Sequence, residues 1–404
     1  MRTLSRMISG IGVVALLLTL AAPVARAEVA PKDAFVKGST KFALDLFGRV
    51  MKKDPHGNVF ISPFSVHMAM TMVYNGANAD TMKVMKAALG FEELKLDDVN
   101  KTAKELAADI QDAGKGVALQ VANSVWLKKG VEIRQDFIKR LEEFFAAVAE
   151  EVDFKDKKSL DKINDWTSKN TKGKIKRILD KLEPEGVLYL LNATWFKGDW
   201  ANKFDKKLTT KRTFTLADGK TVEVPMMSQS GHFDYLDGEN FKAVSIPYAN
   251  KRFSMLLFLP ESKTTLADFL GTLTAENWAA WNEQFGWREG TVILPTFKGE
   301  YDIDLTRILQ LMGMEEPFDE NKADFSKITK VKVFISLVLH KTFIEVDEEG
   351  TEAAAVTAVG VRATGAAPKP VKKFTLVFDK PYFYAIRDRN TGFILFMGVM
   401  QKPK

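Results

Sequence analysis

The chain has 404 residues, 46% hydrophobic and 27% charged, enough for one large globular domain or for two or three smaller ones. It has no cysteine, which excludes a disulfide scaffold, a cysteine nucleophile and thiolate metal sites. A formal charge of +6 is too small to argue for nucleic acid, which needs a concentrated basic face.

In chain order, residues 1–27 read as an export signal. Arg2 and Arg6 precede an apolar run over 11–22, and Ala25-Arg26-Ala27 supplies a small-x-small cleavage site. The run is short for a bilayer span, and no other long apolar run follows, so no membrane partner is expected. Removing 1–27 leaves 377 residues and, with three arginines lost and no acids, a charge of +3. The expectation is a secreted or periplasmic protein with one domain over 28–404.

Helices dominate the first third. Phe42, Ala43, Leu46, Phe47 and Val50 fall on one helical stripe. Ser62-Pro63 reads as an N-cap with proline at the first helical position, and Val66, Ala69, Met70 and Val73 continue that helix to a stop at Gly76. Val117, Leu119, Val121 and Val125 alternate as a strand. A third helix is expected over 134–151, with Phe137, Leu141, Phe144, Phe145 and Val148 inward. Lys172, Lys174, Lys176 and Arg177 read as solvated surface. The segment 187–196 is apolar almost throughout, so it should be a central strand covered on both faces. Asn192 within it must find buried partners. More strands are expected at 253–259, 292–297, 331–346, 374–386 and 393–400. Helices first and strands later, without regular alternation, predict an α+β fold.

Catalytic signatures are absent. There is no Gly-x-Ser-x-Gly, His-Glu-x-x-His or Gly-x₄-Gly-Lys, and the four histidines (His56, His67, His232, His340) stand far apart in sequence. None adjoins a recognisable nucleophile, so neither an enzyme nor a metal site is expected.

One segment is too long for an ordinary connection. Residues 348–370 begin acidic, turn small and apolar, and end at Pro368 and Pro370. Read with a period of two, Thr351, Ala353, Ala355, Thr357, Val359, Val361 and Ala363 share one uncharged face. No proline interrupts it before Pro368, so every amide could join a sheet ladder. By composition alone the segment reads first as a flexible tether rich in alanine.

The stretch Glu348-Glu349-Gly350-Thr351-Glu352-Ala353-Ala354-Ala355 resembles the proximal hinge of the serpins, the serine protease inhibitor family. Further blocks are similar to that family in the same order. They are Asn58-Val59-Phe60-Ile61-Ser62-Pro63-Phe64-Ser65, Ile163-Asn164-Asp165-Trp166, Asn192-Ala193-Thr194-Trp195-Phe196-Lys197-Gly198-Asp199-Trp200, Ala323-Asp324-Phe325-Ser326, Phe378-Asp379-Lys380-Pro381-Tyr382-Phe383 and Phe396-Met397-Gly398. The resemblance covers about 58–398.

It implies a single domain of three β-sheets and eight or nine helices with an exposed reactive centre loop. It also implies suicide-substrate inhibition, in which a protease cuts the loop, stays bound as an acyl-enzyme, and is carried away as the loop inserts into the main sheet. The alternative is a non-inhibitory member acting as a binding or chaperone protein. By family loop length the scissile bond lies between Thr364 and Gly365, with Arg362 or Ala363 as alternatives. Small residues there favour elastase-like or subtilisin-like serine proteases, and Arg362 leaves a trypsin-like one open. The hinge comprises Glu348, Gly350, Thr351, Glu352, Ala353, Ala354 and Ala355. Ser62, Ser65, Asn192 and His340 match the family's "shutter", and Trp200 its "breach". There the family pairs Glu348 with a lysine; Thr296 holds the aligned position here, a departure that leaves the ion pair open, with Lys298 on the same strand face as the candidate substitute. The helix after Gly90 has no basic stripe, so no polyanion cofactor is expected, nor any other cofactor. A monomer is expected.

Overall fold

The computed structural model describes residues 30–112, 114–351 and 373–403. Within them lie nine α-helices: α1 (Pro31–Lys53), α2 (Pro63–Tyr74), α3 (Ala79–Ala88), α4 (Leu96–Gln111), α5 (Gln135–Phe145), α6 (Lys157–Asn170), α7 (Leu266–Leu270), α8 (Ala275–Gln284) and α9 (Thr306–Leu311). The strands are β1 (Phe60–Ile61), β2 (Val117–Lys128), β3 (Val148–Val152), β4 (Leu188–Asp199), β5 (Thr210–Thr215), β6 (Thr221–Asp237), β7 (Phe241–Pro247), β8 (Phe253–Pro260), β9 (Gly286–Pro295), β10 (Phe297–Asp304), β11 (Ile335–Val346), β12 (Gly350–Thr351), β13 (Phe374–Val377), β14 (Tyr382–Asp388) and β15 (Ile394–Met400).

Two hydrogen-bonded sheets result among the described residues. One has six strands, ordered β10-β11-β4-β2-β3 with β12 added on β4; the other has nine, ordered β1-β15-β14-β8-β7-β6-β9-β13 with β5 on β6. The expected second and third sheets run together because β6 is 17 residues long. Its first part pairs β5, its last part pairs β7, and β9 follows both.

β4 is central, as its unbroken apolar run predicts. It lies between β11, parallel, and β2, antiparallel. Leu188, Leu190 and Phe196 point into the main core with α1, α2 and the nine-stranded sheet. On the other face Tyr189 and Leu191 pack under α6 against Leu160 and Ile163, while Ala193 and Trp195 meet Ile175.

α2 is buried along its whole length and starts as its sequence requires, with the Ser62 hydroxyl accepting from the Ser65 amide at 3.3 Å. The helix closes at Tyr74, and Gly76 lets Ile328 approach: a Cβ there would sit 2.1 Å from Ile328 Cγ1.

Several expected boundaries move. The helix over 134–151 ends at Phe145, where Ala146 turns left-handed (φ 47°). Val148–Val152 then runs as a strand parallel to β2, because a second strand could use its open edge. The strand over 374–386 is two strands, split by Asp379-Lys380-Pro381, that join opposite ends of the nine-stranded sheet. The strand over 292–297 is likewise the junction of β9 and β10 at Thr296.

Candidate functional site

Two neighbouring regions of the six-stranded sheet collect the residues singled out by sequence. The first lies midway along β4 and β11, where His340 is directly opposite Asn192. The Ser62 amide donates to His340 Nε2 at 2.9 Å. Since Nε2 accepts, the ring proton sits on Nδ1 and is donated to Asn192 Oδ1. Ser65 Oγ also donates to Asn192 Oδ1, at 2.8 Å, and Ser62 Oγ donates to the Leu395 carbonyl at 2.7 Å.

All four expected members are therefore in one buried network that ties α2 to both strands. Burial pushes the His340 pKa down to about 3, so the ring is neutral at physiological pH. Sequence reasoning missed two further members. Thr194 Oγ1 donates to Ser65 Oγ at 2.8 Å, and Asn192 Nδ2 donates to Asn123 Oδ1. The signal for Thr194 was period-two spacing from Asn192. Asn123 is set by cross-strand register, which local sequence does not carry.

The second region is the end of β4. Here β12 pairs antiparallel with it, Gly350 opposite Asp199 and Thr351 opposite Gly198. β2 occupies the other edge of Gly198, so β12 lies on the β11 side and begins a strand between β4 and β11. The close approach needs glycine: a Cβ on Gly350 would meet the Gly198 carbonyl oxygen at 2.2 Å. Thr351 is fully buried, with its hydroxyl 2.9 Å from that of Tyr248.

Trp200 stacks on Tyr248 (4.8 Å, 7°) and holds the turn before β12 from two sides. Its indole Nε1 donates to the Asp347 carbonyl and its amide to that of Glu349, both at 2.9 Å. Asp347 Oδ1 accepts from the Glu349 and Gly350 amides, and desolvation raises its pKa.

Glu348 and Lys298, the candidate ion pair left open by the sequence, have other partners. Lys298 pairs with Glu345, its cross-strand partner, at 3.2 Å, and Glu348 accepts from Thr209 Oγ1 at 2.5 Å. Thr296 lies at the β9–β10 junction and donates its amide to Pro225. Glu349 carries the ion pair instead, to Lys203 at 2.5 Å and Lys206 at 3.3 Å. The hydrogen bond from Lys203 lowers its pKa. Both glutamates meet the segment from Lys203 to Thr209, and the local sequence does not say which one takes the lysines. Glu352, Ala353, Ala354, Ala355, Arg362, Ala363, Thr364 and Gly365 lie outside the described residues.

This sheet, opened at one end by the start of an extra strand and bolted at its middle by a buried network, belongs to a known class. Residues 37–403 match the family model described as "Serpin (serine protease inhibitor)", and the chain belongs to the serpin family. Human Serpin B8 is 35% identical, with 92% of this chain and all of the relative covered. Human leukocyte elastase inhibitor is 34% identical, covering 90% of this chain and 98% of the relative. Among solved structures, the thermophilic serpin tengpin in its native state has a TM-score of 0.84 at 32% identity, covering 91% and 94%. Human thyroxine-binding globulin complexed with its hormone has 0.85 at 26%, covering 93% and 100%. Members of the family are in general protease inhibitors and not enzymes.

The expected secreted or periplasmic location is corrected by these relatives. Serpin B8 is matched over its whole length by about nine-tenths of this chain, the family match begins only at residue 37, and such relatives lack signal peptides. The leader-like pattern of 1–27 thus has no counterpart in them, and the location inferred from it is withdrawn.

Proposed function

We propose that this chain is a suicide-substrate inhibitor of serine proteases. The observation that carries the reading is β12, a two-residue strand already seated where an inserted loop would begin. Extending its register along β4 sets Ala353 opposite Phe196, Ala355 opposite Thr194, Thr357 opposite Asn192, Val359 opposite Leu190 and Val361 opposite Leu188. Partners directly opposite share a face, so this series would follow buried Thr351 into the core. It is the series that is small or β-branched and uncharged.

In this mechanism the protease's serine attacks the Thr364 carbonyl, forming an ester and releasing the Gly365 amine. The freed loop then continues β12 between β4 and β11, and the esterified protease travels with it. Insertion separates His340 from Asn192, so Ser62, Ser65, Asn192 and His340 act as the bolt. Trp200 and Glu349 hold the hinge at its point of insertion. The elastase-like preference rests on the small residues before Gly365 and on the likeness to leukocyte elastase inhibitor.

A second reading, a non-inhibitory binding protein, is favoured by one observation. A cleft of about 1020 Å³ lies between α1, α7 and α8, lined by Leu44, Phe47, Leu266 and Leu270 among others. Thyroxine-binding globulin, a structural neighbour, holds a hormone.

Incubation with elastase, subtilisin and trypsin, followed by a denaturing gel, separates the two. A complex that survives boiling, with mass spectrometry placing the cut after Thr364, supports inhibition. Clean cleavage with no complex favours the second reading.

A further inference from the structure

Large apolar side chains standing mostly in solvent are few among the described residues. Trp287 on β9 is the most exposed of them, at 73%. It is not loose. Its ring stacks on the imidazole of His232 on β6, with centroids 5.5 Å apart and planes 11° from parallel. Pairing sets His232 opposite Glu289 and Asp234 opposite Trp287, so these four share one face of the sheet. The other face sends Phe233 and Tyr235 into the core.

The charges around the stack are satisfied within the chain. Asp234 pairs with Arg389 at 3.2 Å and Glu289 with Lys373 at 2.6 Å. What the face offers is therefore an immobilised aromatic platform in a neutral rim. Tryptophan is the residue that most often dominates binding energy at protein interfaces.

Its position says what could cover it. Lys373 is the first described residue after the reactive segment, and Phe374 pairs with Gly290, three positions along β9 from Trp287. Thr364 lies nine residues before Lys373. Fully extended, nine residues reach about 30 Å. A protease domain of about 240 residues has a radius of gyration of ~18 Å. An enzyme that holds the Thr364–Gly365 bond in its active site thus has a body broad enough to reach the Trp287 face.

We propose that the Trp287–His232 stack is a second contact for the target protease, meeting an apolar patch on that enzyme while its active site holds the loop. This rests on the inhibitory reading above and deepens it: the loop supplies the bond to be cut, and the stack supplies part of the choice of enzyme. Because the neighbouring charges are already paired, the contact is largely insensitive to salt. That separates it from a polyanion site.

The test is the second-order rate of complex formation with elastase and with subtilisin, for the natural protein, W287A and W287F. For an enzyme that is trapped, W287A should lower the rate about tenfold. The loss should be the same at about 50 and about 500 mM NaCl. W287F should keep most of the rate, and the stoichiometry of inhibition and the melting temperature should not move.

An unchanged rate for W287A with every trapped enzyme overturns the proposal. A slower rate accompanied by a raised stoichiometry also overturns it, since Trp287 then acts on the loop. If the natural protein forms no boiling-resistant complex, the inhibitory reading fails and takes this surface with it. A complex that W287A leaves unaffected removes only the surface.

Discussion

His340 ties a helix to a strand through one side chain. Its two ring nitrogens are both committed, one to α2 and one to β4, and the bond to α2 is lost in the charged form, because a protonated Nε2 can no longer accept from Ser62. His67 is also fully buried, between Phe35, Phe42 and Phe91, with its pKa pushed down to about 4 by desolvation. Both folded values lie below the unfolded value of ~6.5, so the unfolded chain binds more protons on acidification. Stability is therefore complete above about pH 7, falls as pH drops through 6.5, and levels off near pH 3 to 4 as the folded rings protonate. Each histidine should cost about 2 kcal/mol at pH 5. Denaturant midpoints measured from pH 8 to pH 4 check this, and H67Q should remove part of the slope. At the same scale Asn192→Ala leaves the His340 donor buried without an acceptor, at about 1–3 kcal/mol, while the Ser65 hydroxyl keeps the Ser62 carbonyl at 3.2 Å. It should also speed conversion to inserted or polymeric forms on mild heating, seen by size exclusion. Thr351→Arg tests the hinge. A charge cannot lie beside Tyr248 and Gly198 without a partner, so the variant should be cut at normal speed yet leave no boiling-resistant complex on a gel.

At the scale of elements, the hinge depends on how closely β12 approaches β4. Gly350→Ala puts a methyl group into the Gly198 carbonyl, so β12 should leave the sheet while the rest of the fold persists. Hydrogen exchange at the Trp200 amide should rise, because it is donated to the Glu349 carbonyl, while the Asp199 amide, donated to Gly116, should not change. Unchanged protection at Trp200 would mean that β12 contributes little to holding the turn. The elements differ in how far they could be read beforehand. β4 was legible because burial on both faces leaves a continuous apolar run, and the start of α2 because Ser62-Pro63 is a local signal. The end of α5 was not, since Val148 and Val152 fit a helical stripe as well as a strand edge, and the open edge of β2 decides between them. The hinge is marked in the sequence by its resemblance to the serpins and not by its composition, and β12 is not marked at all. Two residues carry no periodicity, and their place depends on Gly198, more than 150 positions away.

For the whole molecule, the inhibitory reading must explain why an intact chain would not insert its loop unprompted. β4 and β11 are paired from Leu188 to Trp195, with the His340 network across the seam, and every bond there must open before a strand can enter. That opening is a barrier, whereas the end state gains a strand. The seam's one ladder is replaced by two, a net of roughly ten backbone hydrogen bonds at about 1 kcal/mol each. The uncharged face from Ala353 to Val361 leaves water as well, which adds to the gain. A release on the order of 10 kcal/mol equals the stability of a typical domain, so on the inhibitory reading the intact form would be protected by rate and not by depth. Clipping the loop with a protease that is not trapped gives the loop freedom to enter without any cargo. For a domain of this size about 1 kcal/mol moves the midpoint by roughly 1.3 °C, so the clipped protein should melt about 13 °C higher than the intact one. Circular dichroism on both forms reads this directly. If the clipped form melts at or below the intact temperature, the alanine-rich face has not been buried, and the seed strand at Gly350 and Thr351 ends where it starts.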